Sequence, residues 1–428
     1  MLDRQTNQIC EGVNISYIKS QKFKVARVSF TVFVPLNKET ASLNAVLLAV
    51  LERSCKKYPD FSSFNKKLEE LYGANIYSSV DKVGDSQALT ISAVCINDDS
   101  AFDKSKVTLN VAELLSEMIF NPCLDGEKFR EEDVIQAKRQ IKEMIQSEQN
   151  DKKSYAKLRC TELMCQDEKF GINKYGKKED IDKITSENLF QAWKNLLETG
   201  KTEILILGNH DYNAAYKLFL EKFSKIQRKN IQKCETFIKD RVENVREFED
   251  FLDVSQCKLV IGFRVPIKTE EYIFSTGLMS ALLGGTPTSK LFLNVRETLS
   301  LCYYCSSNFN KDKGIMFIES GIEQKNFIRA KQEILKQLEE IKKGNFSEEE
   351  LDETKIYLSQ SFKKIEDSLS AIGGWYICQS LSKKVFTPKE YANRINSVTK
   401  SQIIEAAKNI QLDTIYLLMG KGGKISET

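Results

Sequence analysis

The chain repeats itself at the scale of a domain, and that repetition limits the folds open to it. Near the middle, Ile184-Thr-Ser-Glu-Asn-Leu-Phe-Gln-Ala-Trp193 precedes the aliphatic run Glu203-Ile-Leu-Ile-Leu-Gly208. Near the end, Val398-Thr-Lys-Ser-Gln-Ile-Ile-Glu-Ala-Ala407 precedes Thr414-Ile-Tyr-Leu-Leu-Met-Gly420. Thr185 and Thr399 are each placed to cap a helix, and Gln402 completes a capping box with Thr399. Each glycine-ended run reads as a buried strand. The two beginnings match as well. Val25–Pro35 and Cys257–Pro266 are strands closed by proline, followed by the apolar helices Ala41–Leu51 and Tyr272–Leu283. A charged helix and two strands come next: Phe64–Tyr72, Asn75–Val80 and Ala88–Cys95 in one half, Leu291–Thr298, Cys302–Ser307 and Ile315–Ser320 in the other. Amphipathic helices follow, with Val107, Val111, Leu114, Leu115 and Met118 on one stripe and Ile334, Leu335, Leu338 and Ile341 on the other. Toward the end, Ser347 with Glu350 and Thr387-Pro388 with Glu390 predict further helix starts.

The predicted fold class is therefore α+β, as two homologous α/β-sandwich halves, each a mixed sheet of four to six strands backed by helices. The first half is expected over residues 1–221 and the second over 245–428, joined by the lysine-rich, aperiodic stretch 222–244.

Composition removes several functions. The chain has one histidine, His210. Catalytic zinc sites normally use two or three imidazoles and keep a position open for water, so no histidine-based zinc hydrolase site is expected. A Ser-His-Asp or Cys-His arrangement needs one imidazole only. His210 stands in Leu207-Gly-Asn-His-Asp211 without a serine or cysteine signature, and reads as a loop residue. Lys plus Arg is 63 and Asp plus Glu is 60, so the net charge of +3 gives no electrostatic case for nucleic acid or a membrane surface. The 11 cysteines are scattered, many of them in apolar settings, as expected of a reducing compartment. Met1 to Gly12 has no apolar signal core, and no apolar run approaches the length of a membrane span. A cytoplasmic location is expected.

The most specific chemistry lies in residues 282–309, Leu-Leu-Gly-Gly-Thr-Pro-Thr-Ser-Lys-Leu-Phe-Leu-Asn-Val-Arg-Glu-Thr-Leu-Ser-Leu-Cys-Tyr-Tyr-Cys-Ser-Ser-Asn-Phe. A glycine turn at Gly284 and Gly285 ends a buried helix, and a second helix from Thr288 or Ser289 carries Arg296 near its end. Tyr303 follows on a strand, where the two groups can lie side by side. On the residues alone, Arg296 can equally offset helix C-terminal carbonyls while Tyr303 packs on the sheet. Cys302-Tyr-Tyr-Cys305 has redox spacing, but positions i and i+3 of a regular strand face opposite sides, so both thiols read as core. Gly284-Gly285 lacks the lysine and spacing of a phosphate loop. Gly420 to Gly423 reads as a frayed tail.

This segment closely resembles the second domain of the pitrilysin (insulinase) superfamily, in its mitochondrial-processing-peptidase-like branch. There the stretch runs Gly-Gly, Ser-Arg-Leu-Phe, Arg-Glu and Leu-Ala-Tyr, with the same spacing as from Arg296 to Tyr303. The resemblance extends over essentially the whole chain, and implies a duplicated fold like that read above. Active members carry His-x-x-Glu-His on the first apolar helix and a distant glutamate as third zinc ligand. Those positions match Ala45, Leu48 and Ala49 here, with Glu143 near the third ligand. The resemblance thus implies degenerate metal positions, no metal or cofactor in this chain, and zinc in a partner only. It implies the non-catalytic subunit of a two-chain cytoplasmic zinc metallopeptidase, inactive alone, supplying half a peptide chamber and the Arg296–Tyr303 pair to a homologous zinc-bearing subunit. Its partners would be that subunit and a peptide or small protein substrate, with neither nucleic acid nor membrane. The alternative is a proteolytically inert scaffold or peptide-binding protein of the same fold.

Overall fold

Strand pairing reproduces the repeat. The computed structural model describes residues 4–209 and 212–420. Six strands form the first sheet: β1 (Arg4–Cys10), β2 (Val13–Lys19), β3 (Val25–Pro35), β4 (Asn75–Val83), β5 (Ser86–Ile96) and β6 (Lys201–Gly208), in the order β1-β2-β6-β3-β5-β4. Five form the second: β7 (Arg246–Leu252), β8 (Cys257–Arg264), β9 (Cys302–Asn310), β10 (Ile315–Ile322) and β11 (Gln411–Gly420), in the order β7-β11-β8-β10-β9. Removing β1 leaves one topology used twice. In each sheet the last strand runs parallel to the first one (β6 with β2, β11 with β7), and the remaining pairs are antiparallel. The predicted capping boxes at Thr387 and Thr399 are formed, Thr185 caps its helix as read and forms a box with Asn188, and Ser347 and Glu350 exchange the equivalent bonds at 3.0 and 2.7 Å.

Helices Ala41–Leu51, Val107–Phe120 and Ser186–Thr199 share one core with the first sheet, and Glu270–Gly284, Phe327–Lys342 and Lys400–Asn409 share one with the second. Central strands are apolar on both faces. On β8, Leu259, Ile261 and Phe263 face the second of these cores while Val260 faces away; on β11, Ile415, Leu417 and Met419 do so while Tyr416 and Leu418 face away. A strand with two apolar faces needs cover on both sides. The second cover comes from far away in sequence. Helix Lys152–Met164 and the following turn bring Ala156, Cys160, Met164, Cys165 and Phe170 onto Val260, Phe317, Tyr416 and Leu418.

The chain therefore forms two compact units that are not contiguous. One comprises 1–146, 172–235 and 366–385; the other comprises 147–171, 236–365 and 386–428. Relative to a division at residues 221 and 245, segment 147–171 is contributed to the second sheet and segment 366–385 to the first. In the latter, Gly373 of helix Leu369–Cys378 lies against the Arg27 guanidinium, 3.2 Å from where a Cβ would stand. Residues 225–245 have no regular structure but are tied down within each unit. Arg228 donates to the carbonyls of Leu197 (2.6 Å), Gly200 (2.6 Å) and Glu11 (3.2 Å), while Val242 and Gln411 exchange hydrogen bonds at 3.0 and 2.8 Å. Among the described residues, no helix is long and apolar enough to cross a membrane.

Buried charge fixes the contributed segment. Arg264, fully buried, donates to Glu168 (Nη2 to Oε1, 2.7 Å), Asp413 (Nε to Oδ2, 2.6 Å) and the Met164 carbonyl (2.9 Å). Lys313, also fully buried, meets the other Glu168 oxygen at 2.8 Å. Arg246 reaches Asp413 at 2.7 Å and the Met164 carbonyl at 2.8 Å. Two arginines thus satisfy the open carbonyl end of helix Lys152–Met164. Burial alone would raise the Glu168 and Asp413 carboxyls; for Glu168 the bonds and charges of Arg264 and Lys313 outweigh it, for Asp413 those of Arg246, Arg264 and Thr414, and both lie below the usual carboxylate range. A depressed folded value contributes stability that is complete above about pH 4, where the unfolded carboxyl titrates, and is lost as pH falls through the folded values. Glu168→Gln leaves Arg264 and Lys313 short of a counter-charge and is expected to cost about 3–5 kcal/mol in urea unfolding at pH 7, with a smaller difference from wild type at pH 3. A loss under 1 kcal/mol would show the cluster to be incidental.

Candidate functional site

The approach to Arg296 and Tyr303 begins with a close contact. Helix Glu270–Gly284 packs on β9, where Ser280 and Ser307 share a hydroxyl hydrogen bond of 2.7 Å. A Cβ on Gly284 would stand 2.6 Å from the Ser307 amide nitrogen, so only glycine admits this approach. Gly285 closes the helix with its amide on the Ala281 carbonyl at 2.8 Å. These glycines set the packing of the turn, in keeping with their lack of a phosphate-loop pattern.

Three departures from regular backbone then follow. Residues Leu291–Thr298 wind as a π-helix, starting later than the Thr288 or Ser289 read from sequence, with the Leu299 amide bonded to the Asn294 carbonyl at 3.1 Å. Ser300 has φ 50°, a left-handed conformation that costs a non-glycine residue about 1 kcal/mol. The third departure is in β9, where Tyr304 pairs with Gly321 but Cys302 pairs with Ile322. Tyr303 is the extra residue of a β-bulge on an edge strand. Such irregularities are uncommon singly and cluster where a fold aims side chains for use.

Here they aim Arg296 and Tyr303 into one surface depression, with Glu297, Ser300, Glu323 and Asn326 around it. The Arg296 side chain is 41% exposed; its guanidinium stacks over the Phe292 ring at 4.7 Å and its Nε meets Glu297 at 3.5 Å. Tyr303 is 61% exposed, and its hydroxyl donates to Glu323 at 3.4 Å. Glu323 is held below the usual carboxylate range, first by Lys325 and to a lesser degree by that hydroxyl. The Arg296 fork presents free donors to solvent, while the one O–H of the exposed Tyr303 phenol rests on Glu323 in a long bond of 3.4 Å. Glu323, Asn326 and Ser300 carried no signal in the sequence.

The bulge overturns one sequence argument. Cys302 and Cys305 pair with Ile322 and Ser320, which are two apart on a regular strand and so share a face. Both thiols enter the same core, as read, but on the same side of β9.

The helix matched to the zinc motif has a different character. Ala45 is 0%, Leu48 5% and Ala49 2% exposed, and nearly the whole helix Ala41–Leu51 is buried. Its polar side is closed locally. Asn44 donates to Gln87 at 3.0 Å, Gln87 donates to the Ala41 and Lys174 carbonyls, and Ser42 bonds to the Lys177 backbone. Gly176 passes so near that a Cβ would stand 2.0 Å from the Ser42 hydroxyl. Zinc does not fit this donor set, because alanine and leucine offer no lone pair. Glu143 lies on helix Glu131–Asn150, exposed and paired with Arg139 at 2.8 Å beside Lys138 and Lys142. Among the described residues, no three His, Cys, Asp or Glu side chains are placed to share a metal ion. His210 and the tail beyond Gly420 lie outside the described residues.

With this geometry in place, comparison with known proteins is specific. The profile of the peptidase M16 inactive domain matches residues 183–358. The chain is 31% identical over 413 residues to the Bacillus subtilis (strain 168) protein named probable inactive metalloprotease YmfF, spanning 96% of this chain and 97% of that one. It is 21% identical over 330 residues to a Rickettsia felis protein named uncharacterized zinc protease, spanning 73% and 77%. A conserved protein of Enterococcus faecalis V583 superposes with a TM-score of 0.89 at 27% identity, over 98% of this chain and 99% of that one. A protease from Helicobacter pylori shares the fold, with a TM-score of 0.79 at 16% identity over 98% and 100%. The chain belongs to the peptidase M16 family, as an inactive homologue.

Proposed function

We propose that the chain is the non-catalytic subunit of a cytoplasmic, two-chain metallopeptidase of the mitochondrial-processing-peptidase-like kind, paired with a homologous chain that bears His-x-x-Glu-His. The observation that carries the reading is the joint exposure of Arg296 and Tyr303 in one depression, maintained by a π-turn, a left-handed serine and a bulge. A residue whose task is only to fill a sheet does not need an edge bulge that turns it to water. Peptide hydrolysis passes through a tetrahedral centre with a negatively charged oxygen, and donors already in place around that oxygen lower the barrier. Tyr303 is such a donor, and the Arg296 fork suits the carbonyls of an extended peptide. The metal chemistry would be supplied by the sister chain; this chain would bind, orient and donate.

Alone, the purified chain should hold no stoichiometric zinc at Ala45–Ala49 and cleave no peptide. Metal analysis giving one tightly held ion per chain, lost on Ala45→Glu or Ala49→Glu, would contradict this.

Mixed with its zinc-bearing sister, the chain should form a heterodimer whose peptidase activity exceeds that of either chain alone. Tyr303→Phe should leave assembly intact and lower turnover about 100- to 1000-fold, the usual cost of one oxyanion donor. Arg296→Ala should raise KM as well, because gripping substrate carbonyls stabilises the ground state too. If the complex assembles and cleaves equally well with both substitutions, the chain is a scaffold or peptide-binding protein, and Arg296 serves only its stacking on Phe292 and its pairing with Glu297.

A further inference from the structure

Beneath the depression lies a pair of thiols with no role in the reading above. Cys302 lines the depression and is 9% exposed; Cys305 stands behind it at 6%, in the core of the second unit. Through the bulge both thiols lie on the same side of β9. The neighbouring Cys305 thiol, together with the Ser320 hydroxyl and the Arg296 charge, holds Cys302 below the ordinary thiol range despite burial, and the same proximity with burial pushes Cys305 up. Cys302, at the wall of the depression, is the sulfur that an entering molecule meets first, and Cys305 stands behind it on the same face of the strand.

We propose that Cys302 and Cys305 form a reversible thiol–disulfide site, oxidised by a small-molecule disulfide entering at the Arg296–Tyr303 depression. The Cys302 thiolate attacks one sulfur of the small disulfide; that S–S bond breaks and a small thiolate leaves. The Cys305 thiol gives up its proton, its sulfur attacks Cys302, and the second small thiolate departs. Two protein thiols become one protein disulfide, and one small disulfide becomes two small thiols.

The bulge makes this closure possible and gives it a consequence. Strand partners two residues apart on β10 set the Cys302 and Cys305 Cα atoms about 6.7 Å apart, at the upper limit of what a disulfide spans. The strand must tighten between them. Tyr304 cannot absorb the change, because its ring is where a Cβ on Gly321 would be, at 2.5 Å, and it carries the Lys153 and Lys258 ammonium groups over its face at 4.5 and 5.7 Å. The slack is at Tyr303, so oxidation should displace the phenol. That effect on peptide cleavage rests on the subunit role proposed above; the disulfide itself does not.

The test uses the single full-length chain. After exposure to oxidised glutathione and blocking of free thiols, trypsin releases residues 297–311, which contain both cysteines. This peptide should lose about two mass units and regain them with dithiothreitol. Cys305→Ser should trap glutathione on Cys302, whereas Cys302→Ser should leave Cys305 unmodified. Peptide 297–311 remaining reduced while the exposed Cys378 is fully modified would overturn the proposal. Glutathione trapped on Cys305 in preference to Cys302 would overturn it as well. None of these readouts requires a partner chain, so the disulfide and the heterodimer can fail independently.

Discussion

The second sheet depends on a cluster of buried charge. Arg264 and Lys313 would be untenable in that interior without Glu168 and Asp413, and Glu168 arrives on a segment that precedes the sheet by some distance in sequence. A buried ion pair contributes little net stability compared with an apolar replacement, yet costs several kcal/mol when one partner is missing. Its effect here is to specify. Only a chain that brings residues 147–171 onto β8 and β11 satisfies these groups, so the contributed helix has one place to dock. Apolar cover on Val260, Phe317 and Tyr416 supplies the attraction, and the charges select the position.

The same logic of burial explains the helix at Ala41–Leu51. A carboxylate at position 48, 5% exposed, would require a metal or a counter-charge, whereas leucine requires neither. Once no ion is held, alanine and leucine are the residues that such a buried helix favours, and the local closure by Asn44, Gln87 and Ser42 tightens it further. The contrast with residues 291–303 is physical. One segment has settled into regular, dry packing; the other retains a π-turn, a left-handed serine and a bulge, each costing stability, around two exposed donors.

Much of the fold was legible because helix caps and strand ends leave local signatures. The Thr185, Thr387 and Thr399 starts and the strands β3, β5, β8, β10 and β11 are read directly from spacing. Strands β1, β2 and β7 were not read; β7 alternates half-buried and exposed residues along an edge, and charges on such a strand resemble a linker. The contributed segments were illegible because nothing local tells a helix which sheet it will cover. Arg296 and Tyr303 were singled out by spacing and resemblance, but their neighbours Glu323 and Asn326 follow the end of β10, where only tertiary structure brings them near. The two thiols are core as read, but that they share a face was not legible, since a bulge changes which faces i and i+3 share and leaves no mark in sequence.

The central claim is that this chain acts beside a zinc-bearing homologue and not by itself. Its most direct test is to recover the chain at native expression level and identify what accompanies it by mass spectrometry and metal analysis. The account predicts one stoichiometric partner of the same family carrying His-x-x-Glu-His, and one zinc per pair. Recovery of the chain alone, as a complex with itself, or with unrelated proteins and no zinc would contradict it.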